Sequence, residues 1–563
     1  MKKLPVGIES FKQIQEDNYY YVDKTLLIKD IINEGAAVTL FTRPRRFGKT
    51  LNMDTLKSFF EIGTDPQLFE GLAISKEMEI CKDHLGKYPV IFMTFKGVNH
   101  ETFSGARSLL VSIIKREAAK YRYILKNNVL DDYDKSEFRK LLDDEMSDAT
   151  LYGSLKTLSE LLCAYHRQKV IVLLDEYDVP LDKAYNNGYY DKMLVVMREL
   201  FNNLLKTNYD NVKFAVLTGC LRISKESIFT GLNNFNIRSI SDSAYDEYFG
   251  LTDSEVMKML QDYGLAQYHE EAKDWYDGYL FGKKYVYCPW SIIKYVNDKI
   301  SDKDSKPDNY WANSSGNDII IKFLNRTDFS EVPSKFEKLV NDNSITQKIH
   351  NDLTYNEVME SEENLWSLLY TSGYLTKVDE DAKGGRLVLR IPNKEVMETF
   401  RVNIDVWMRN KINKADKAAF FDALWDKNCK YLTGSLSKLL FDSISYNDYN
   451  ENFYHAILVG MLLSYGYAVE SNKENGLGRS DIIVKDIDNL RAIVIETKIA
   501  KTEKGLNRKC DEALKQIKDK MYSETIKIEN HYDVIEYGIA FFQKSCLVKA
   551  ASDDGKMKEM NLF

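Results

Sequence analysis

Four short, predominantly apolar runs punctuate the first half of the chain: 37–41 (AVTLF), 90–95 (VIFMTF), 170–176 (VIVLLDE, closing on two acids) and 214–219 (FAVLTG). Unbroken apolar runs of this length, without polar alternation, predict strands covered on both faces. Helical stretches separate them; after the first run, Leu51, Leu56, Phe59 and Phe60 recur as one helix face. Strands alternating with helices predict a parallel sheet sheathed by helices, an α/β fold. The pattern changes near Phe249. "GLTDSEVMKMLQDYG" reads as a helix, "WYDGYLFGKKYVYCPWSIIKYV" is dense in aromatics, and the stretch from Leu365 to Phe400 reads helix, hairpin, helix, which suits a winged-helix-like module. From about Asp405 a third pattern begins: an apolar helix, two strands around "KDIDN", a helix from Cys510 and a closing strand "EYGIAFF". These shifts predict segments 1–248, 249–404 and 405–563.

Composition narrows the class. With 563 residues and 44% hydrophobic content the chain has material for several cores, and a net charge of −8 argues against a uniformly basic nucleic-acid binder. The seven cysteines are scattered without a C-x-x-C pair, so neither a zinc ribbon nor a disulfide framework is expected. The opening "MKKLPVGIESF" lacks the apolar core of a signal peptide, and no run is long enough for a bilayer. A cytoplasmic protein with no membrane partner is expected.

The first candidate chemistry lies in Arg43-Pro44-Arg45-Arg46-Phe47-Gly48-Lys49-Thr50. A phosphate-binding loop reads G-x-x-x-x-G-K-[ST], in which backbone N–H groups and a helix N-terminus face the anion, Lys adds charge and Ser/Thr holds Mg²⁺. Here the strand, the loop and the helix are in order, but Arg43 replaces the first glycine. Preceding a proline, Arg43 is expected to take an extended path, with Arg45 and Arg46 joining it in charging the loop. A lone G-K-T also reads as an ordinary basic helix start. A second feature bears on the choice: the strand ending in Asp175-Glu176 has the form in which Asp holds Mg²⁺ and Glu polarises the attacking water. Thr218, at the tip of a further strand, is expected to lie between those two and to reach the γ-phosphate or the water, with Arg222 sensing phosphate charge. Both also read as loop-stabilising residues, Arg222 as one half of an ion pair. ATP and Mg²⁺ are the implied cofactors, with Thr50 and Asp175 as metal ligands.

The second candidate lies in "SDIIVKDIDNLRAIVIETKIAK". Alternation puts Glu496 and Lys498 on one strand face with Val494, and a hairpin can bring Asp481 beside them. Two carboxylates holding Mg²⁺ and one ammonium suit phosphodiester hydrolysis. The plain alternative is a solvated E-x-K at a strand edge. Glu451 is a further candidate carboxylate and Gln516 a candidate for positioning water or phosphate. From Lys498 to Lys520 eight basic residues face four acidic ones, which suits either a phosphate track or a solvated helix face.

Together "PVGIESFKQI", "YYVDKT", "RPRRFGKT", "LLDEYD", "LTGCLRISKESIFTGLNN", "WYDGYLFG", "YCPWSI", "ENFYHA", "SNKENGLGRSDIIV" and "IVIETK" resemble the bacterial AAA-ATPase-like proteins that carry a C-terminal PD-(D/E)XK nuclease domain. The resemblance implies a P-loop NTPase with an AAA-related parallel sheet, a helical and winged-helix-like middle, and a restriction-endonuclease-like α/β end. Position by position it implies phosphate and Mg²⁺ binding by Lys49 and Thr50, Walker B roles for Asp175 and Glu176, and a nuclease signature of Asp481, Glu496 and Lys498, with Glu451 as the helix carboxylate. Arg43 fits the R-P-R-R-F-G-K-[ST] form of that family's loop. The expected function is an ATP-regulated, Mg²⁺-dependent nuclease acting on nucleic acid, DNA ahead of RNA, and able to form a homo-oligomer. The rivals are a nucleotide-dependent switch or scaffold that binds nucleic acid or a partner without cutting, and a remodelling ATPase using Arg222 or Arg238 as an arginine finger.

Overall fold

The computed structural model describes the chain apart from residues 127–128, 207, 222–234, 312–331, 341–343, 351–352, 354–356, 358–359, 382–384, 412–413, 444–453, 455–457, 459–461, 463–467, 476–477, 487–488, 531–532 and 552–563. It divides into two compact units, Met1–Gly316 with Ser344–Glu398, and Asn317–Asn343 with Thr399–Phe563.

The first unit is built on a five-stranded parallel sheet of β1 (Val38–Thr42), β2 (Val90–Thr94), β3 (Val170–Asp175), β4 (Val212–Gly219) and β5 (Phe235–Arg238), in the order β2-β3-β4-β1-β5. The four apolar runs form β1 to β4, of which β3, β4 and β1 are central and β2 lies at one edge, and β1 and β3 are buried along their whole length. Helices α1 (Lys49–Phe60), α2 (Phe103–Ala119), α3 (Asp148–His166) and α4 (Tyr190–Leu205) supply the cover. On α1 the core positions are Met53, Leu56, Phe59 and Phe60. Leu51, expected on that face, is only half-buried. Because β4 lies between β1 and β3, the loop after β1 and the acids after β3 converge at the carboxyl edge of the sheet, where α/β proteins hold ligands.

The aromatic middle of the chain packs into this same unit. A hairpin of β6 (Tyr279–Phe281) and β7 (Lys284–Val286) precedes α5 (Pro289–Ser301). Then β8 (Ile345–Lys348), α6 (Glu362–Thr371), β9 (Thr376–Asp381) and β10 (Arg386–Arg390) follow, the strands pairing β8-β10-β9 antiparallel. With α7 (Lys394–Lys411) after them, this is the helix, hairpin and helix expected of a winged-helix-like module, extended by one strand.

The second unit holds a five-stranded mixed sheet, β11 (Ala468–Asn475), β12 (Gly478–Asp486), β13 (Arg491–Ile499), β14 (Asp533–Phe542) and β15 (Ser545–Ala550), in sequence order. Only β13 and β14 run parallel, joined through α9 (Leu506–Asp519). Alternation sorts the side chains of β13. Ile493 and Ile495 enter the core shared with α8 (Cys429–Ser443), whereas Ala492 and Val494 enter the one shared with Leu514 and Ile517 of α9.

Candidate nucleotide and nuclease sites

The loop from Arg43 to Thr50 is shaped by two left-handed residues, Arg46 (φ 72°) and Gly48 (φ 79°). Gly48 precedes α1 directly, and the space around its missing side chain is open, so its backbone angle is what demands glycine. Lys49 is 4% exposed, and its ammonium donates to the loop's own carbonyls, Arg43 O at 3.1 Å and Pro44 O at 2.9 Å. The Thr50 hydroxyl donates to Asp175 Oδ2 at 2.9 Å.

Asp175 is fully buried at the tip of β3 and accepts two more hydroxyls, Thr94 at Oδ2 (3.1 Å) and Thr218 at Oδ1 (2.6 Å). Three strand tips and the first turn of α1 therefore meet on one carboxylate. The neighbouring Glu176 is held in a left-handed conformation (φ 52°), with its N–H on the Thr218 hydroxyl at 3.3 Å. Burial pushes its carboxyl above the usual range, against the opposing pull of Lys49. Asp178 ties down the segment beyond β4 by accepting from the N–H groups of Cys220 and Leu221 at 2.8 and 2.9 Å.

Arg43 does not charge the mouth of this loop as expected. Arg43 is fully buried. Its guanidinium donates to Thr42 O (2.9 Å), Arg238 O (2.7 Å) and Tyr245 O (3.3 Å) and lies over the rings of Phe249 and Phe281. Desolvation lowers its pKa to about 10, which leaves it charged at neutral pH. Arg46 stacks on Trp290, its guanidinium carbon 4.2 Å from the ring centre, and Arg45 lies 3.7 Å from Asp182. Phe47 is buried against Tyr279 and Phe281. A side chain at Gly373 would strike Pro44 at 2.9 Å. Arg43, Pro44 and Phe47 thus anchor the loop internally. Arg238, considered as a finger, is tied within its own chain to Glu34. Arg222 lies outside the described residues.

In the second unit the register pairs Ile482 with Ile495, so Asp481 stands opposite Glu496. Asp481 Oδ2 accepts from the N–H and hydroxyl of Thr497 at 2.8 and 2.7 Å. Glu496 is 1% exposed; Lys498 donates to its Oε1 at 2.9 Å, and Gln516 on α9 donates to the same oxygen. Oε2 is buried with no hydrogen-bond partner among the described residues. Burial pushes this carboxyl up to about 7, with Asp481 adding to the rise and Lys498 opposing it. Asp481, Glu496, Lys498 and Gln516 are therefore brought together as expected. Glu451 lies outside the described residues, and among the described residues no group of three or more metal-ligating side chains occurs.

Thr94, Thr497 and Asp178 escaped the sequence reading. Thr94 left a usable signal: it is the polar next-to-last residue of an otherwise apolar run, as Thr218 is. Thr497 left none, because its role depends on the β12–β13 register.

Residues 5–229 match a family model described as a predicted AAA-ATPase, and residues 449–551 match that of the PD-(D/E)XK nuclease superfamily. The chain joins an AAA-ATPase-like domain to a PD-(D/E)XK nuclease superfamily domain. The first match spans β1 to β4 with the loop and Asp175, and the second spans Asp481, Glu496 and Lys498. An uncharacterized protein from the vnfD 5′ region of Azotobacter chroococcum mcd 1 is 27% identical over 542 residues, 93% of each chain. A Walker-type ATPase of Pyrococcus abyssi is 12% identical, with a TM-score of 0.39 over 69% of this chain and 97% of its own. Among the described residues no helix is long and apolar enough to cross a membrane.

Proposed function

We propose that the protein binds and hydrolyses ATP and thereby regulates a Mg²⁺-dependent nuclease in its C-terminal domain that cuts nucleic acid, DNA in preference to RNA. We assign the functional segments as 1–248 (ATPase), 249–404 (lid or linker) and 405–563 (nuclease), acting in the cytoplasm and able to assemble as a homo-oligomer. The observation that carries the nuclease half is Glu496 Oε2. A buried carboxylate oxygen with no donor costs free energy unless something binds it, and the cost of such an orphan is about 1–3 kcal/mol or more. A hard divalent cation is the fitting partner, with Asp481 opposite as the second oxygen donor.

In this reading Asp481 and Glu496 hold the metal, and Thr497 fixes Asp481 for it. Lys498 keeps its ammonium at the site and steadies charge on the scissile phosphate, while Gln516 orients Glu496 or the attacking water. In the ATPase half, Lys49 exchanges its two loop carbonyls for phosphate oxygens. Thr50 and Asp175 hold Mg²⁺, Thr94 and Thr218 aim Asp175, and Glu176 takes the proton of the attacking water. When held at either site, Mg²⁺ would supply neutralisation of phosphate charge and polarisation of the water.

The test is incubation of the purified chain with Mg²⁺ and plasmid, linear DNA or RNA, with and without ATP. Glu496→Ala is expected to abolish cutting and keep ATP binding. Unchanged cutting by that variant overturns the assignment. ATP binding without cutting by the wild type supports the switch or scaffold instead.

A further inference from the structure

The nucleotide loop rests in part on residues that come, in sequence, a few positions before the chain leaves its unit. Trp311 is 1% exposed; its indole N–H donates to Arg45 O at 3.4 Å, and its ring meets Tyr374 edge-on at 4.8 Å. The backbone N–H of the same Trp311 donates to Glu395 Oε1 at 2.9 Å. Glu395 is fully buried in the first turn of α7, and the Ser291 hydroxyl on α5 reaches both its oxygens at 2.9 Å. Cys288, just before α5, donates its thiol to Arg46 O at 3.6 Å.

The chain passes from the first unit into the second after residue 316 and again after residue 398. Trp311 lies five positions before the first of these crossings and Glu395 three before the second. Helix α7 runs on through the second crossing without a break. In sequence, two of the three covalent crossings between the units thus follow within five positions of a member of one buried hydrogen-bonded pair, and that pair holds the carbonyl of a loop residue.

A ligand shifts another site only if it changes contacts that differ between two states of the protein. Nucleotide would do so here. Lys49 now holds Pro44 O, the carbonyl next to the one Trp311 holds. Transfer of that ammonium to phosphate frees the loop backbone at the point where Trp311 grips it.

We propose that the Trp311–Glu395 pair is the link through which nucleotide at the loop acts on the nuclease domain, a claim that rests on the function proposed above. Trp311 and Glu395 are positioning residues in this scheme, touching neither substrate. The pair transmits strain because a buried carboxylate with full hydrogen bonding has few alternative arrangements.

The experiment is hydrogen–deuterium exchange on the full chain, with and without a non-hydrolysable ATP analogue and Mg²⁺, alongside the analogue's Kd. In the wild type the analogue is expected to change exchange in peptides spanning Arg491–Lys520. Trp311→Phe keeps the ring and removes the indole N–H, and Glu395→Ala removes the carboxylate. Both are expected to hold the Kd within about twofold while losing at least about half of the remote change, since only the coupling is cut. Trp366→Phe, at a buried tryptophan bonded to Glu362 instead, is expected to keep it. Should Glu395→Ala fail to fold, Trp311→Phe alone decides. Analogue binding with no remote change in the wild type, or an equal loss in Trp366→Phe, overturns the proposal by itself. No analogue binding at all overturns the reading of the loop and the link with it.

Discussion

Arg43 shows how a residue's chemistry is redirected by its surroundings. At the first position of a phosphate loop a guanidinium suggests an anion ligand, yet this one is sealed among three carbonyls and two rings. Replacing it with the usual glycine would orphan those carbonyls, and charged hydrogen bonds are worth about 1.5–3 kcal/mol each. We therefore expect Arg43→Gly to lower the unfolding free energy by about 3 kcal/mol or more without tightening ATP binding; denaturant melts and nucleotide titration check both halves. Glu395 supplies a pH signature. Burial raises its pKa from 4.5 to about 7, so between those values the native state holds a proton that the unfolded chain has lost. That contribution to stability is complete below pH 4.5 and is lost as pH rises through 7, a fall on the order of 3 kcal/mol in all. Glu395→Gln is expected to flatten this decline, measured as the difference from wild type across pH 5–8.

Elements set the geometry that single residues cannot. Parallel strands end together, so the tips of β2, β3 and β4 deliver Thr94, Asp175 and Thr218 to one point. Loss of one hydroxyl leaves the carboxylate in place but freer to turn. Residues that orient a metal ligand in this way are worth roughly 10–100-fold in metal affinity or activity. We expect Thr94→Val and Thr218→Val each to slow ATP hydrolysis by about that factor while leaving ATP binding nearly unchanged; steady-state ATPase rates with a parallel binding titration decide it. Thr218→Val is expected to be the more damaging, because Thr218 also receives the Glu176 N–H. In the second unit the corresponding device is the β12–β13 register. A slip of one residue would turn Asp481 to the opposite face and separate it from Glu496.

Across the whole molecule the two acid clusters lie in separate units, so each ligand is expected to stabilise chiefly the unit that binds it. ATP analogue with Mg²⁺ should raise the transition of the first unit by RT ln(1 + [L]/Kd), about 2.7 kcal/mol at a hundredfold excess over Kd. Lys49→Ala should abolish that rise and Glu496→Ala should keep it. Calorimetry with and without analogue reads both, and a rise that survives Lys49→Ala would remove the loop from the nucleotide site.

Much of this is legible in the sequence. Apolar runs mark buried strands because water leaves both their faces, and acids or threonines at the ends of such runs mark the sheet's carboxyl edge. G-K-T after β1, D-E after β3 and E-x-K within β13 all follow from that local rule, as does the face shared by Val494, Glu496 and Lys498. What the chain alone could not show was direction and partnership. Arg43 turns inward because Phe249 and Phe281, more than two hundred positions away, offer their rings. Gln516 reaches Glu496 because α9 crosses back over β13, and Trp311 meets Glu395 across 84 positions. Periodicity reports which side of an element is dry; which distant group waits there is settled only when the chain has closed on itself.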